Sequence, residues 1–191
     1  MHFFSDPART LTVLLLLGLT AACAQTGKNG TNAPQDKPAL IEGYGPFRAI
    51  EDADFKTPVN KPLKALFSIG KTPEDKDKLN PSIQSMARFF NMNVDAGVSP
   101  ENIKLALVVH GRAAANVLTN EAHNARYLAD NPNATLLQEL HNRGARIVLC
   151  GQTMAFGGYK REELLPFVQV ALSAMNAVVQ LQDEGYRLIN W

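Results

Sequence analysis

Two cysteines, Cys23 and Cys150, are all that the chain holds, which is too few for a disulfide scaffold. Charge of one sign is also missing. With 19 Lys and Arg against 18 Asp and Glu, the formal net charge is +1. No basic run or aromatic–basic stripe supplies the field that nucleic acid or an anionic membrane surface would need as partner. Motifs with a fixed chemistry are absent as well. There is no G-x-S-x-G and no Walker loop, and the stretch from Gly151 to Gly158 lacks the spacing of a dinucleotide turn. His123 and His141 lie too far from Cys150, and too irregularly, to read as a zinc set. No close acidic pair suggests glycoside hydrolysis. Nothing calls for a metal or an organic cofactor, and there is no internal repeat.

What is present suits a soluble α/β protein. Hydrophobic residues make up 46% and charged residues 19% of 191 positions, enough for one domain with a proper core and short for two. The N-terminal stretch differs from the rest. Arg9 precedes the apolar run Leu11–Leu19, and Thr20-Ala21-Ala22-Cys23-Ala24-Gln25 follows. This basic, apolar, small-residue order is that of a secretory signal over residues 1–24, and the apolar run is short for a membrane span. Ala22-Cys23-Ala24 fits cleavage before Gln25. The competing reading makes Cys23 the lipid-anchored first residue of a lipoprotein, and Thr20, where such sites carry Leu, favours the first. The expected location is the periplasm or the exterior. In either case Cys150 has no partner within the chain.

Residues 25–61 read as a flexible tether followed by an irregular arm, and 62–191 as the folded domain. Leu63–Ile69 predicts a strand. Asn80-Pro81 opens a helix, with Asn as cap and Pro at the first helical position. Ile83, Met86, Ala87, Phe90 and Val94 form its apolar stripe, and Gly97 closes it. Leu105–Val109 has no alternation, as in a parallel strand buried on both faces. Residues 113–129 predict a broken helix, and Asn133 a cap for the helix bearing Leu136, Leu137 and Leu140. Further strands follow at 147–150, 168–172 and 186–190. A short helical piece falls near 162–165, and a later helix carries Met175, Val178, Val179 and Gln182 on one face. Alternating strands and helices imply a single Rossmann-like domain, a mostly parallel sheet of about five strands with helices on both faces.

Ligands of open α/β sheets bind outside the carboxyl ends of the strands. Three strands end in His110-Gly111, Cys150-Gly151-Gln152-Thr153 and Ser173, so these residues are expected to converge. A thiol there, beside an imidazole or at the start of a helix, favours the thiolate. His110 is the candidate to accept or supply its proton. Gly111, Gly151, Gln152, Thr153 and Ser173 are candidates to hold an anionic ligand. The competing reading makes Cys150 a small buried hydrophobe.

Asn80 to Gly97, Leu107-Val108-Val109-His110-Gly111, Cys150-Gly151-Gln152-Thr153, Val170-Ala171-Leu172-Ser173-Ala174-Met175 and Gly185-Tyr186 resemble, in this order, the DsrE/DsrF-like (YchN-like) family over about residues 63 to 190. The resemblance implies a compact Rossmann-like fold, a homo-oligomer (trimer or hexamer), and in the best-understood branch a sulfur relay. In that branch a cysteine after a central strand carries sulfur as a persulfide, and Cys150 matches it in location. His110 belongs to the shared segment without a role carried over. That branch is cytoplasmic, whereas this chain reads as exported and looks closer to the secreted branch, which usually has Ser where Thr153 stands. Two functions remain: sulfur transfer through Cys150 with a donor or acceptor protein or a small sulfur compound, or a noncatalytic oligomeric module that binds a small ligand or partner, with Cys150 structural.

Overall fold

The computed structural model describes residues 40–190. The expected signal segment, Cys23 and the tether lie outside the described residues, and among those described no helix is long and apolar enough to cross a membrane. Five strands, β1 (Leu63–Ile69), β2 (Ile103–Val109), β3 (Arg146–Cys150), β4 (Gln169–Ala171) and β5 (Arg187–Ile189), form one sheet in the order β4-β3-β2-β1-β5. Every pairing is parallel. The central strand β2 is buried on both faces from Leu105 to Val109 because helices cover both, whereas β1 carries Lys64 and the exposed Ser68 on one of its faces.

Strand alternation sends Phe67, Leu105, Leu107, Val109, Ile147 and Leu149 to one face, where α1 (Pro81–Asp95) and α3 (Ala134–Asn142) pack. Leu66, Ala106, Val108 and Val148 face the other side, covered by Ala177 and Leu181 of α5 (Ala174–Asp183) and by Tyr186. The α1 start is as the sequence implies: Asn80 Oδ1 accepts from Ser82 N–H at 3.0 Å, and Pro81 follows. Each buried aliphatic or aromatic side chain of the stripe contributes about 1.5–3 kcal/mol relative to exposure.

Four expectations are corrected. Residues 113–129 do not form one broken helix. A 3-10 segment, Gly111–Val117, gives way to extended backbone at Leu118, and Thr119 caps a separate helix α2 (Asn120–Tyr127). Asn133 precedes α3 but does not cap it with its side chain. Its Oδ1 accepts from Asn80 N–H at 2.8 Å, and its Nδ2 donates to Asn116 Oδ1 at 3.0 Å. Asn131 joins this network by donating to the carbonyls of Asn116 and Leu118, so buried amides tie the loops at the carboxyl edge together. On α5, the buried residues are Ala177 and Leu181, while Met175 and Val179 are 77% and 58% exposed. Of the predicted stripe, Val178 packs partly buried against the core, while Met175 and Val179 point outward. Lastly, a helix α4 (Gly151–Phe156) starts directly after β3, in the stretch before the short piece near 162–165 where the sequence predicts no element.

The arm belongs to the domain: Ile41 is buried, and Asn91 of α1 accepts from its N–H and donates to its carbonyl and to that of Tyr44.

Candidate functional site

Because β2, β3 and β4 are adjacent and parallel, their carboxyl ends bring His110, Cys150 and Ser173 to one edge of the sheet. Cys150 ends β3 and is the residue from which α4 departs. Val148 faces α5, so Cys150, two residues on, projects to the same side. The thiol is free and 6% exposed.

Its acidity is the balance of opposing effects. Burial pushes the thiol pKa up. The Thr153 N–H, the Thr153 hydroxyl, and the N–H groups of Ala174 and Gln152 pull it down and prevail, so the pKa lies below the ordinary value. The donors come from the first turn of α4 and from the first residue of α5, where backbone N–H groups lack helical partners and favour negative charge. Two helix starts therefore serve one sulfur. Thr153 has a second duty, since its Oγ1 accepts from Gly111 N–H at 2.9 Å. The hydroxyl thus joins the β2 loop to the β3 loop beside the thiol, and a Thr supplies it as a Ser would.

The glycines act mainly on the backbone. A Cβ on Gly151 would stand 2.5 Å from the Ala171 carbonyl oxygen, so only glycine lets α4 leave β3 this close to β4. Gly111 has φ +52°, the left-handed region that favours glycine. Gln152 is exposed and donates to the Leu172 carbonyl at 3.3 Å.

His110 and Ser173 reach the edge in other roles. The His110 ring lies against Gly70, where a Cβ would come within 2.5 Å of its Cε1. Gly70 follows β1, on the opposite side of β2 from β3. The imidazole therefore lies on the β1 side of its strand, away from β3, a placement that lends no support to the proton-transfer role expected of it. The Ser173 hydroxyl is committed to capping α5: it accepts from Asn176 N–H at 3.1 Å and donates to Asn176 Oδ1 at 2.6 Å. It serves the site indirectly, by presenting Ala174 N–H. That donor carries no side-chain signal, and only its place after a capping serine could have marked it. Among the described residues no cluster of His, Cys, Asp and Glu could hold a metal ion.

The comparisons with known proteins bear on the fold and the family. No curated protein matches the chain. Among solved structures, the protein of unknown function MTH1491 from Methanobacterium thermoautotrophicum superposes with a TM-score of 0.51 at 19% identity, covering 66% of this chain and 97% of its own. At that identity the likeness speaks for the fold alone. A family model matches residues 64–191, a span that holds the whole sheet apart from its first residue and includes the Cys150 loop. On that match, the chain belongs to the DsrE/DsrF-like family.

Proposed function

We propose that the protein carries sulfur on Cys150. What supports this reading is the place of Cys150 at the carboxyl edge of the sheet, where α4 departs and α5 begins, with backbone N–H groups and the Thr153 hydroxyl holding its thiol pKa below the ordinary value. A thiolate held this way attacks the outer sulfur of a donor persulfide. The donor's S–S bond breaks, the donor leaves as a thiolate with the bonding electron pair, and Cys150 becomes the persulfide. An acceptor thiolate reverses the step. Proton handling falls to solvent or to the donor, since the His110 ring faces Gly70.

The test is persulfide loading. Reduced protein is exposed to polysulfide, and the peptide containing Cys150 is analysed by mass. The expected result is a gain of one sulfur atom that is absent in Cys150→Ser. No gain in the folded protein refutes the reading.

Burial of the thiol to 6% exposure favours the second reading, a noncatalytic oligomeric binding module in which Cys150 only fills space. In this proposal the family tendency to assemble as trimers or hexamers applies to either reading, and the outward Leu172, Met175 and Val179 are a surface suited to it. Export to the periplasm or beyond rests on the sequence of residues 1–24.

A further inference from the structure

Where the arm crosses α1 it leaves an open groove of about 560 Å³, lined by Pro46, Phe47, Arg48, Arg88 and Met92. This volume lies within the roughly 300–1,000 Å³ of small-molecule sites. The arm is fixed there on its N-terminal side. Asn91 pins it through Ile41 and Tyr44. Gly45 then passes so close to α1 that a Cβ on it would stand 2.2 Å from the Arg88 backbone nitrogen. This approach brings the Pro46 carbonyl to Arg88, whose Nε donates to it at 2.8 Å. The bond orients the guanidinium and leaves its two terminal amino groups unspent. Neither Arg48 nor Arg88 forms an ion pair among the described residues, and no carboxylate lines this groove. A second groove, of about 650 Å³, continues along α1 from Phe47, Arg48 and Met92, and adds Glu51 and Asp95 against Lys56. Two cations beside an apolar floor therefore give way to a stretch with more negative than positive charge.

We infer that the groove between the arm and α1 binds an aromatic monocarboxylate. The carboxylate takes the free guanidinium edges of Arg88 and Arg48, whose planar forks match its two oxygens. The ring lies on Pro46 and Phe47, with the Met92 thioether against it. An inorganic anion would use the arginines and leave Phe47 and Met92 in water, whereas an aromatic one uses both. A second carboxylate at the far end of the ring would be carried toward Glu51 and Asp95 and repelled, so the order of charges along α1 selects one negative charge over two. The site is separate from the thiol. It lies on α1, across the sheet from the α5 side to which Cys150 projects, and it stands whether or not Cys150 carries sulfur.

The test titrates 2-naphthoate into the protein and follows the backbone amide resonances. Saturable shifts are expected at Phe47, Arg48, Arg88 and Met92. Arg48, Arg88 and Met92 are exposed, so substitutions there leave the fold in place. Arg88→Ala is expected to raise the Kd about ten-fold, the loss of a charge-assisted hydrogen bond, with partial recovery in Arg88→Lys. Arg48→Ala acts in the same direction, and Met92→Ala raises the Kd about five-fold. Arg112→Ala, a cation outside the groove, changes it by less than about two-fold. The dianion 2,6-naphthalenedicarboxylate is expected to bind about ten-fold more weakly than 2-naphthoate, through repulsion by Glu51 and Asp95. Absence of saturable shifts at these amides overturns the inference. So does a Kd unmoved by Arg48→Ala and Arg88→Ala, or equal binding of the cation 2-naphthylmethylammonium. If the same amides shift with protein concentration alone and 2-naphthoate does not reverse the change, the groove is an interface between copies of the chain, and the inference falls.

Discussion

Gly151→Ala sets two physical effects against each other. Gly151 lies in helical backbone at the start of α4, so alanine there gains about 0.4–1 kcal/mol by restricting the unfolded chain. Against this, the new Cβ would stand 2.5 Å from the Ala171 carbonyl oxygen and 3.3 Å from that of Leu172. Both obstacles are backbone, and Ala171 is paired with Cys150 in the sheet. Relief requires α4 and β4 to separate by about 1 Å, an overpacking cost of about 1–3 kcal/mol. The clash wins, and the expected net loss is about 1–2 kcal/mol, measured by denaturant unfolding at unchanged m. The separation also draws the α4 N–H groups off the thiol, so alkylation of Cys150 slows at neutral pH. Gly158→Ala is the control. Gly158 has φ +61° and nothing near its Cβ position, so it costs about 1–2 kcal/mol through left-handed backbone alone and leaves alkylation unchanged. A Gly151→Ala protein as stable and as reactive as wild type would refute the reasoning.

Two further outcomes follow from the same geometry. Asn133→Ala strips the side-chain acceptor from the buried Asn80 N–H, while Asn116 Oδ1 keeps the Thr72 hydroxyl at 3.2 Å, and should cost about 1–3 kcal/mol for the one buried group left unpaired. A midpoint unchanged in thermal or denaturant unfolding would contradict it. Because the fold lowers the Cys150 pKa, the thiolate's contribution is fully present above the unfolded thiol value of about 8.5 and is lost as pH falls through the folded value. Stability of wild type relative to Cys150→Ser should therefore rise with pH across that window, and a flat or falling difference would count against it.

The elements with large apolar residues at a clean period were legible: the α1 stripe behind Asn80-Pro81, and the unbroken β2 run. The edge that gathers His110, Cys150 and Ser173 followed from strand order and the parallel rule. Other features depended on partners remote in sequence. Helix α4 spans six residues and opens on glycine, too short for a period and weak in propensity. The Asn133 amide is the usual capping type, yet it bonds Asn80 and Asn116, which no local pattern reports. On α5, size misled: Met175 and Val179 outweigh Ala177 in any apolar stripe, but the small alanine is what lets the helix lie close to the sheet. The direction of the His110 ring was set by the bare backbone of Gly70, and the acidity of Cys150 by N–H groups, which every residue but proline has.

The central claim is that Cys150 is an activated thiol and not inert filling. Its most direct measurement is the pH dependence of alkylation at Cys150 in the reduced, folded protein, read by mass of its peptide. The account predicts modification before unfolding, with a midpoint below the ordinary thiol value of about 8.5. A thiol that stays unmodified until the protein unfolds, or that titrates above that value, would contradict it.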